Sequence, residues 1–223
     1  MHRLYLVRHG ENRANVSRVF SSRRINKSLT HKGILQAQQT AEYFRDKGID
    51  GIYSSPLKRA TETANIIAAQ LNLKIIIKNE FSEVDVGSLE GKLINKENWG
   101  CYNKIIKDWS SGKIEIAFPN GENYKALWNR MQKGIEKCIS DNESNNIIIV
   151  GHVGIFTHTL KDLCPAVDIE WLYLQPNHNC SISEIIMDKQ DGYLKGSLIR
   201  WAYFAHLHGR AAELIKATPE YFL

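Results

Sequence analysis

Four short polar clusters hold the residue types that could process a phosphate ester. They occupy residues 8–12, 54–59, 83–87 and 151–152, and together they contain arginines, histidines and carboxylates. Arginine presents a planar fork of donors that matches phosphoryl oxygens, and it stays charged. A neutral imidazole can attack phosphorus to form a covalent intermediate, and a carboxylic acid can protonate the departing alkoxide. The combination therefore indicates chemistry on a phosphate monoester.

Each cluster comes at or shortly after the end of an apolar run that predicts a short strand. The four runs lie at residues 4–7, 51–54, 74–78 and 146–150. Ligands of parallel α/β sheets bind beyond the carboxyl ends of the strands, so we expect the four clusters to converge on one sheet edge. A helix beginning after His152 would add backbone N–H donors for an anion.

Helical patterns separate these strands. Thr30 is predicted to cap a helix that runs to about residue 47. Its buried face is expected to contain Ile34, Ala37, Ala41 and Phe44. Ser55 as N-cap and Pro56 in the first turn predict a second helix, to about residue 71. The remaining predicted elements are helices at about 122–139 and 152–163, a weaker helical pattern at 93–118, late strands at 180–187 and 193–201, and a short helix from about residue 210.

Strands that alternate with helices predict an α/β fold of three layers, with a mostly parallel sheet and helices on both faces. A chain of 223 residues fits one large domain, which we expect to span 1–223. The least regular part, residues 92–120, is interpreted as an insertion rather than as a second domain.

Composition excludes several classes of protein. Hydrophobic residues make up 43% and charged residues 24%, which argues against a disordered chain or a coiled coil. No apolar run approaches the roughly 18 residues that a membrane span needs, and the N-terminus lacks the apolar core of a signal peptide. Basic residues cluster only at 18–27 and the net charge is +5, so no nucleic-acid partner is predicted.

The cysteines point to a reducing compartment. Their separation forms no CxxC pair, which argues against a zinc clip and against a thioredoxin-like motif. We therefore expect reduced thiols and a cytoplasmic location. The four positions are Cys101, Cys138, Cys164 and Cys180.

Residues 6–11, Leu-Val-Arg-His-Gly-Glu, resemble the signature of the histidine phosphatase superfamily, in its phosphoglycerate mutase-like branch. One departure is Ser28, where a proline commonly precedes Leu-Thr; this affects a turn and leaves the chemistry untouched. Any one motif would be weak evidence, whereas seven in the family's order are specific. The other six motifs lie at residues 29–37, 54–64, 83–91, 119–122, 150–152 and 179–181.

The resemblance implies roles for particular residues. His9 corresponds to the nucleophile that becomes phosphorylated, and Glu83 to the proton donor. The residues that correspond to the phosphate pocket are Arg8, Asn15, Arg59 and His152. The resemblance implies no metal and no cofactor for hydrolytic members, one antiparallel late strand, and a cap over the site formed by residues 92–120. Asp85 and Glu80 are rival acids, and the spacing from Glu83 to Gly87 favours Glu83.

The predicted function is hydrolysis of a small phosphorylated metabolite through a phosphohistidine. One alternative is a phosphoglycerate mutase that depends on 2,3-bisphosphoglycerate. Residues 92–120 contain no arginine, and residues 83–87 lack the arginine and tyrosine of the mutase form. Another alternative is a non-catalytic domain that binds a phosphorylated ligand, although no pocket residue is missing. The sequence specifies no substrate and is compatible with a homodimer.

Three further groups need an interpretation. His206 and His208 could form a metal pair, but no third ligand lies at a familiar spacing, so a rim or surface role is favoured. Arg23 with Arg24 is interpreted as a solvated pair, with the mouth of the pocket as the alternative. The aromatic residues of the insertion are expected to pack rather than to contact substrate. These are Trp99, Tyr102 and Trp109.

Overall fold

The protein, described by a computed structural model over residues 1–140, 145–190 and 193–213, is built on one six-stranded sheet. The strands are β1 (His2–Arg8), β2 (Gly51–Ser54), β3 (Ile75–Ile77), β4 (Asn146–Gly151), β5 (Ile182–Gln190) and β6 (Tyr193–Tyr203). Their order is β3-β2-β4-β1-β5-β6. Strands β1, β2, β3 and β4 pair in parallel, whereas β5 runs antiparallel to both β1 and β6. The mostly parallel sheet with one reversed late strand is therefore confirmed.

Seven helices flank the sheet in the described part of the chain. They are α1 (Arg13–Val16), α2 (His31–Phe44), α3 (Lys58–Leu71), α4 (Lys96–Ser110), α5 (Tyr124–Ser140), α6 (Val153–Leu163) and α7 (Ile169–Leu174). Successive side chains of a strand point to opposite faces. In β1, Leu4 and Leu6 join a core that α5 and α6 complete, while Tyr5 and Val7 join a second core with α2 and α3. These two cores make the three layers that the sequence predicts.

Two predicted helix details are wrong. Helix α3 begins at Lys58 after the N-cap Leu57, so Ser55 is not its cap. The Ser55 hydroxyl instead turns toward His152. On α2, Ile34 is exposed rather than buried. The inward positions there include Gln36 and Thr40, whose polar groups are hydrogen-bonded inside the fold.

The end of the chain and two helices also differ from the prediction. A 3₁₀ turn at Gly209–Ala212 lies where a helix from residue 210 was expected, and residues 214–223 of that prediction lie outside the described residues. Helices α1 and α7 were not predicted, because each is too short to show a periodic pattern. Their caps, Asn12 and Asp168, are their clearest local signals.

The loop after β1 lies directly on the first turn of α2. Thr30 caps that helix, as predicted, by accepting from the Gly33 N–H at 3.0 Å. A Cβ built on Gly33 would lie 2.0 Å from the Glu11 carbonyl oxygen, and one on Gly10 would lie 2.6 Å from the Gly33 oxygen. Two backbones therefore meet where only glycine fits. This contact holds the loop that carries His9.

We expect Gly33→Ala to lower the free energy of unfolding by about 1–3 kcal/mol, because the new methyl group would overlap a backbone carbonyl. This loss outweighs the higher helix propensity of alanine, about 1 kcal/mol. Gly100→Ala in α4 is the matched control, since no atom lies within 4 Å of its added Cβ. It should be neutral or stabilising in urea denaturation. Equal effects at the two positions would contradict the close approach.

Candidate active site

A cavity of about 760 Å³ opens at the carboxyl ends of the central strands. His152 lies behind it, fully buried, with its ring centroid 5.2 Å from that of His9. The structure therefore brings the predicted site residues together, although His152 does not itself line the cavity. The predicted site residues that line it are Arg8, His9, Asn15, Arg59 and Glu83.

Hydrogen bonds define the tautomer of His9. The Arg59 Nε–H donates to His9 Nε2 at 3.2 Å, and a guanidinium nitrogen can only donate. His9 Nδ1 therefore carries the proton and donates it to the Gly10 carbonyl at 2.8 Å. Burial lowers the pKa of His9 well below its ordinary value, and the positive charges of Arg59 and Arg8 lower it further. His9 thus presents a neutral imidazole with the Nε2 lone pair turned toward the guanidinium.

Two buried guanidiniums lie beside His9. Burial lowers the pKa of Arg8 and of Arg59 to about 10, and the nearby Glu83 carboxylate opposes that effect in both. Both groups therefore stay charged near neutral pH. Arg8 donates to the Asn177 carbonyl, while its Nε has no hydrogen-bond partner in the described structure. A buried charge with an unused donor is a site for an anion.

His152 is oriented by Ser55, which the sequence analysis predicted to be a helix N-cap. His152 Nε2 lies 2.8 Å from the Ser55 hydroxyl, which also accepts from the Leu57 N–H at 3.2 Å. His152 Nδ1 is buried and has no partner among the described atoms. Burial lowers the pKa of His152 well below its ordinary value, and Arg59 adds to the shift. His152 is therefore a neutral ring with one nitrogen free to bond an incoming group.

Asn15 lies on α1 and is tied to the backbone of the nucleophile loop. Its Oδ1 accepts from the Asn12 N–H at 3.1 Å and from Asn179 Nδ2 at 3.2 Å. The same Asn179 amide also donates to the His9 carbonyl at 3.0 Å. Asn179 was part of the last motif but received no role from the sequence. It links α1, His9 and the turn before β5.

Glu83 is held on the N-terminus of α6. Its two carboxylate oxygens accept from the N–H groups of Val84 at 2.8 Å, Ile155 at 2.9 Å and Gly154 at 3.1 Å. A Cβ on Gly154 would lie 2.6 Å from Glu83 Oε1, so the glycine makes room for the carboxylate. The carboxylate therefore has a fixed position at one side of the cavity.

The rival acids are occupied elsewhere. Glu80 pairs with Lys137 at 2.7 Å. Asp85 accepts from the Gly87 N–H at 3.0 Å and faces Arg23 at 3.8 Å. Glu80 and Asp85 are not among the cavity-lining residues, whereas Glu83 is. The geometry thus favours Glu83, as the spacing to Gly87 did.

The aromatic residues of the insertion divide into two groups. Trp99 and Tyr102 pack against Phe20, as expected, and they also line the cavity. Trp109 does pack, and its indole N–H donates to the Ile116 carbonyl at 2.7 Å. Tyr173, on helix α7, also lines the cavity. The sequence analysis missed this residue because it did not predict the helix.

The remaining candidates have ordinary structural partners. Arg23 pairs with Glu122 at 3.4 Å and Arg24 with Glu90 at 3.2 Å, and neither arginine lines the cavity. His206 bonds Thr40 at 3.0 Å, and His208 lies 3.3 Å from Gln39. Across residues 1–140, 145–190 and 193–213, no three His, Cys, Asp or Glu side chains are grouped to hold a metal ion. No helix in these ranges is long and apolar enough to cross a membrane.

Comparison with known proteins identifies similar chains. The sequence model described as "Histidine phosphatase superfamily (branch 1)" matches residues 4–198. A Proteus mirabilis protein named "Probable phosphoglycerate mutase GpmB" is 34% identical over 208 residues, which cover 91% of this chain and 93% of that protein. The α-ribazole phosphatase of Shigella flexneri is 26% identical, with a TM-score of 0.68 over 88% of this chain and 95% of that one. A mycobacterial glucosyl-3-phosphoglycerate phosphatase has the same fold, with a TM-score of 0.78 at 20% identity over 91% of this chain and 99% of that one.

We expect His9 to remain a neutral Nδ1–H tautomer at pH 5.5, where an imidazole of ordinary pKa, about 6.5, is roughly nine-tenths protonated. Burial and the two guanidiniums lower its pKa, so the neutral form persists to lower pH. ¹⁵N chemical shifts of the imidazole report the tautomer directly, and His9→Gln identifies the resonance. A titration midpoint at or above 6.5 would contradict the described environment.

Proposed function

The chain belongs to the histidine phosphatase superfamily, and we propose that it hydrolyses phosphomonoesters through a phosphohistidine formed on His9. The family match confirms the resemblance drawn from the motifs and the predicted class of phosphoric monoester hydrolase. The relatives described above include enzymes named for small phosphate esters, so we infer a small phosphorylated metabolite as substrate. We also propose a cytoplasmic location, because four widely separated cysteines without a CxxC pair suit a compartment that keeps thiols reduced.

The observation that carries the mechanism is the environment of His9 Nε2. Its lone pair points at the buried guanidinium of Arg59, in a corner where Arg8 Nε has no partner among the described atoms. A phosphate that enters this corner offers oxygens to the guanidiniums and phosphorus to the imidazole. Neutral His9 is the reactive form, because a protonated ring has no lone pair to donate.

The other corner residues hold the phosphoryl oxygens. Arg8 Nε and His152 Nδ1 are buried and have no partner among the described atoms. In the proposed mechanism the Ser55 hydroxyl donates to His152 Nε2, which leaves the proton on Nδ1 for a phosphoryl oxygen. Arg59 changes partner from His9 to the phosphate as the substrate enters. Asn15 lines the same corner and bonds the phosphate from the α1 side. These fixed donors stabilise the charge that spreads over the equatorial oxygens in the transition state.

Glu83 supplies and recovers the proton. In the first step His9 Nε2 bonds phosphorus, the ester P–O bond breaks, and Glu83 protonates the departing alkoxide. In the second step water attacks the phosphohistidine, gives a proton to Glu83, and releases inorganic phosphate and neutral His9.

The mutase alternative is supported by the name of the Proteus mirabilis relative. A mutase would return the phosphoryl group to a phosphoglycerate, whose carboxylate requires a cation. The insertion offers no arginine for that purpose. A non-catalytic domain is the less favoured reading, since each residue of the proposed mechanism is present and converges on one corner.

Rapid quench with ³²P-labelled substrate should trap an adduct that is labile in acid and stable in alkali, as a phosphoramidate is. His9→Ala should abolish the adduct and the activity, while His31→Ala, an exposed histidine at the start of α2, should change neither. An acid-stable adduct, or an active His9→Ala protein, would contradict the proposed nucleophile.

The acceptor of the phosphoryl group on His9 distinguishes a phosphatase from a mutase. We expect the enzyme to release labelled inorganic phosphate in reactions that contain no 2,3-bisphosphoglycerate. Transfer to 3-phosphoglycerate much faster than release of phosphate would establish the mutase alternative instead.

Glu83→Gln should slow phosphorylation of His9 by ethyl phosphate by ~10²–10⁴-fold, the usual effect of general acid catalysis. It should slow phosphorylation by nitrophenyl phosphate far less, because nitrophenolate leaves without a proton. Both substrates are measured on the same variant in single turnover, so any displacement of the glutamine from the α6 N–H groups affects both alike. Equal losses of rate for the two substrates would contradict the role of Glu83 as the acid. Asp85→Asn, in the same loop, is the matched control.

A further inference from the structure

Beyond the phosphate corner the cavity changes character. Its wall there is formed by α4, by the segment that follows α1 and includes Phe20, and by the loop that follows Glu83. The apolar and aromatic side chains that line it include Phe20, Val86, Ile94, Trp99, Tyr102 and Ile106. An apolar recess that opens directly onto the reacting phosphate is where the alcohol part of a phosphomonoester must lie.

Three of these side chains form a stacked aromatic wall, defined here as Phe20, Trp99 and Tyr102. The ring centroids of Trp99 and Tyr102 are 5.0 Å apart with the planes inclined by 16°. Phe20 lies 6.1 Å from Trp99 and 5.7 Å from Tyr102, at 19° and 29°. Phe20 is buried, whereas Trp99 and Tyr102 remain partly accessible and line the cavity. The three rings stack on one another, so together they form a continuous aromatic surface along the cavity.

One ring of the wall, that of Tyr102, is held by a hydrogen bond as well as by packing. The Tyr102 hydroxyl lies 2.6 Å from His158 Nε2, and His158 Nδ1 lies 3.3 Å from the Tyr173 hydroxyl. Burial lowers the pKa of His158 to about 4, so this ring is neutral near neutral pH and brings no positive charge to the wall. The polar groups of Tyr102, His158 and Tyr173 are thus paired with one another.

Charge in this part of the cavity is confined to its outer edge. Among the described residues that line it away from the phosphate corner, the charged ones are Arg18, Lys107 and Glu170, and all three are exposed. Arg8 and Arg59 are committed to the phosphate. A carboxylate on the leaving group would therefore enter an apolar recess without a buried cation, which is costly.

We propose that the alcohol part of the substrate is an uncharged, ring-bearing group that lies against the stacked aromatic wall. The inference rests on the proposed function, since it concerns the leaving group of that reaction. Aromatic pairs in offset-stacked or edge-to-face arrangements attract each other beyond the effect of the area they bury, which favours a ring-bearing group over an alkyl chain here. Burial of a ring of this size should raise kcat/KM by about 10- to 100-fold over an ester without it.

Four alkyl phosphates test the proposal: 2-phenylethyl, n-octyl and ethyl phosphate, and 3-phosphoglycerate. All four release an alkoxide, so leaving-group chemistry is similar while the attached group changes. We expect 2-phenylethyl phosphate to exceed ethyl phosphate by about 10- to 100-fold in kcat/KM. We expect it also to exceed n-octyl phosphate, which has the same number of carbon atoms, and 3-phosphoglycerate.

Variants locate the preference. Trp99→Ala and Trp99→Leu should both reduce the ratio of 2-phenylethyl to ethyl phosphate, since leucine keeps apolar bulk but lacks a flat ring. Trp171→Ala is the matched control, because Trp171 lies on α7, is exposed, and does not line the cavity. It should leave the ratio unchanged. Both substrates are measured on the same preparation of each variant, so any loss of folded enzyme cancels in the ratio of the two kcat/KM values.

Each contrary outcome has a distinct meaning. Equal rates for the ethyl and phenylethyl esters, or a better rate with n-octyl phosphate, would overturn the ring-binding wall while leaving hydrolysis intact. A preference for 3-phosphoglycerate would overturn it in favour of an anionic leaving group held by Arg18 or Lys107. Absence of phosphate release from all four esters would count against the proposed function itself, and the inference would fall with it.

Discussion

The hydrogen bond from Arg59 to His9 Nε2 is the contact on which the site depends. It turns the imidazole lone pair toward the anion pocket and leaves the proton on Nδ1, where the Gly10 carbonyl binds it. It also places a buried positive charge beside a ring that burial already keeps neutral. Arg8 adds a second buried charge at the same point. The two buried positive charges are tolerated because the guanidiniums donate to neighbouring carbonyl oxygens. In the proposed mechanism, the charge of an entering anion pairs with them.

Close backbone contacts keep these groups in position. Gly10 and Gly33 bring the nucleophile loop onto the cap of α2, and Gly154 lets the Glu83 carboxylate sit on the first N–H groups of α6. Arg130 fixes the loop on the other side of Glu83 by donating to the carbonyls of residues 80, 82 and 83. His9 and Glu83, the proposed nucleophile and acid, are thus placed by hydrogen-bonded elements of the fold.

Different parts of the fold serve different parts of the substrate. The sheet edge and the starts of α3 and α6 provide the phosphate corner, which any phosphomonoester would use. Helices α4 and α7 provide the outer wall, where the aromatic residues lie. In the proposed mechanism, chemistry and selectivity therefore come from separate segments of the chain.

The sequence by itself determined the order of strands and helices, the α/β class and the set of corner residues, because these depend on local patterns: apolar runs, caps, and motifs at strand ends. It did not determine what Ser55, Asn179 and Gly154 do, since their partners His152, Asn15 and Glu83 are distant along the chain. The sequence also did not predict helix α7, or that Trp99 and Tyr102 line the cavity. A sequence pattern does not distinguish cavity-lining aromatic residues from packing residues. Only the tertiary structure decides which side of a half-buried aromatic ring faces a cavity, because that depends on where separate elements meet.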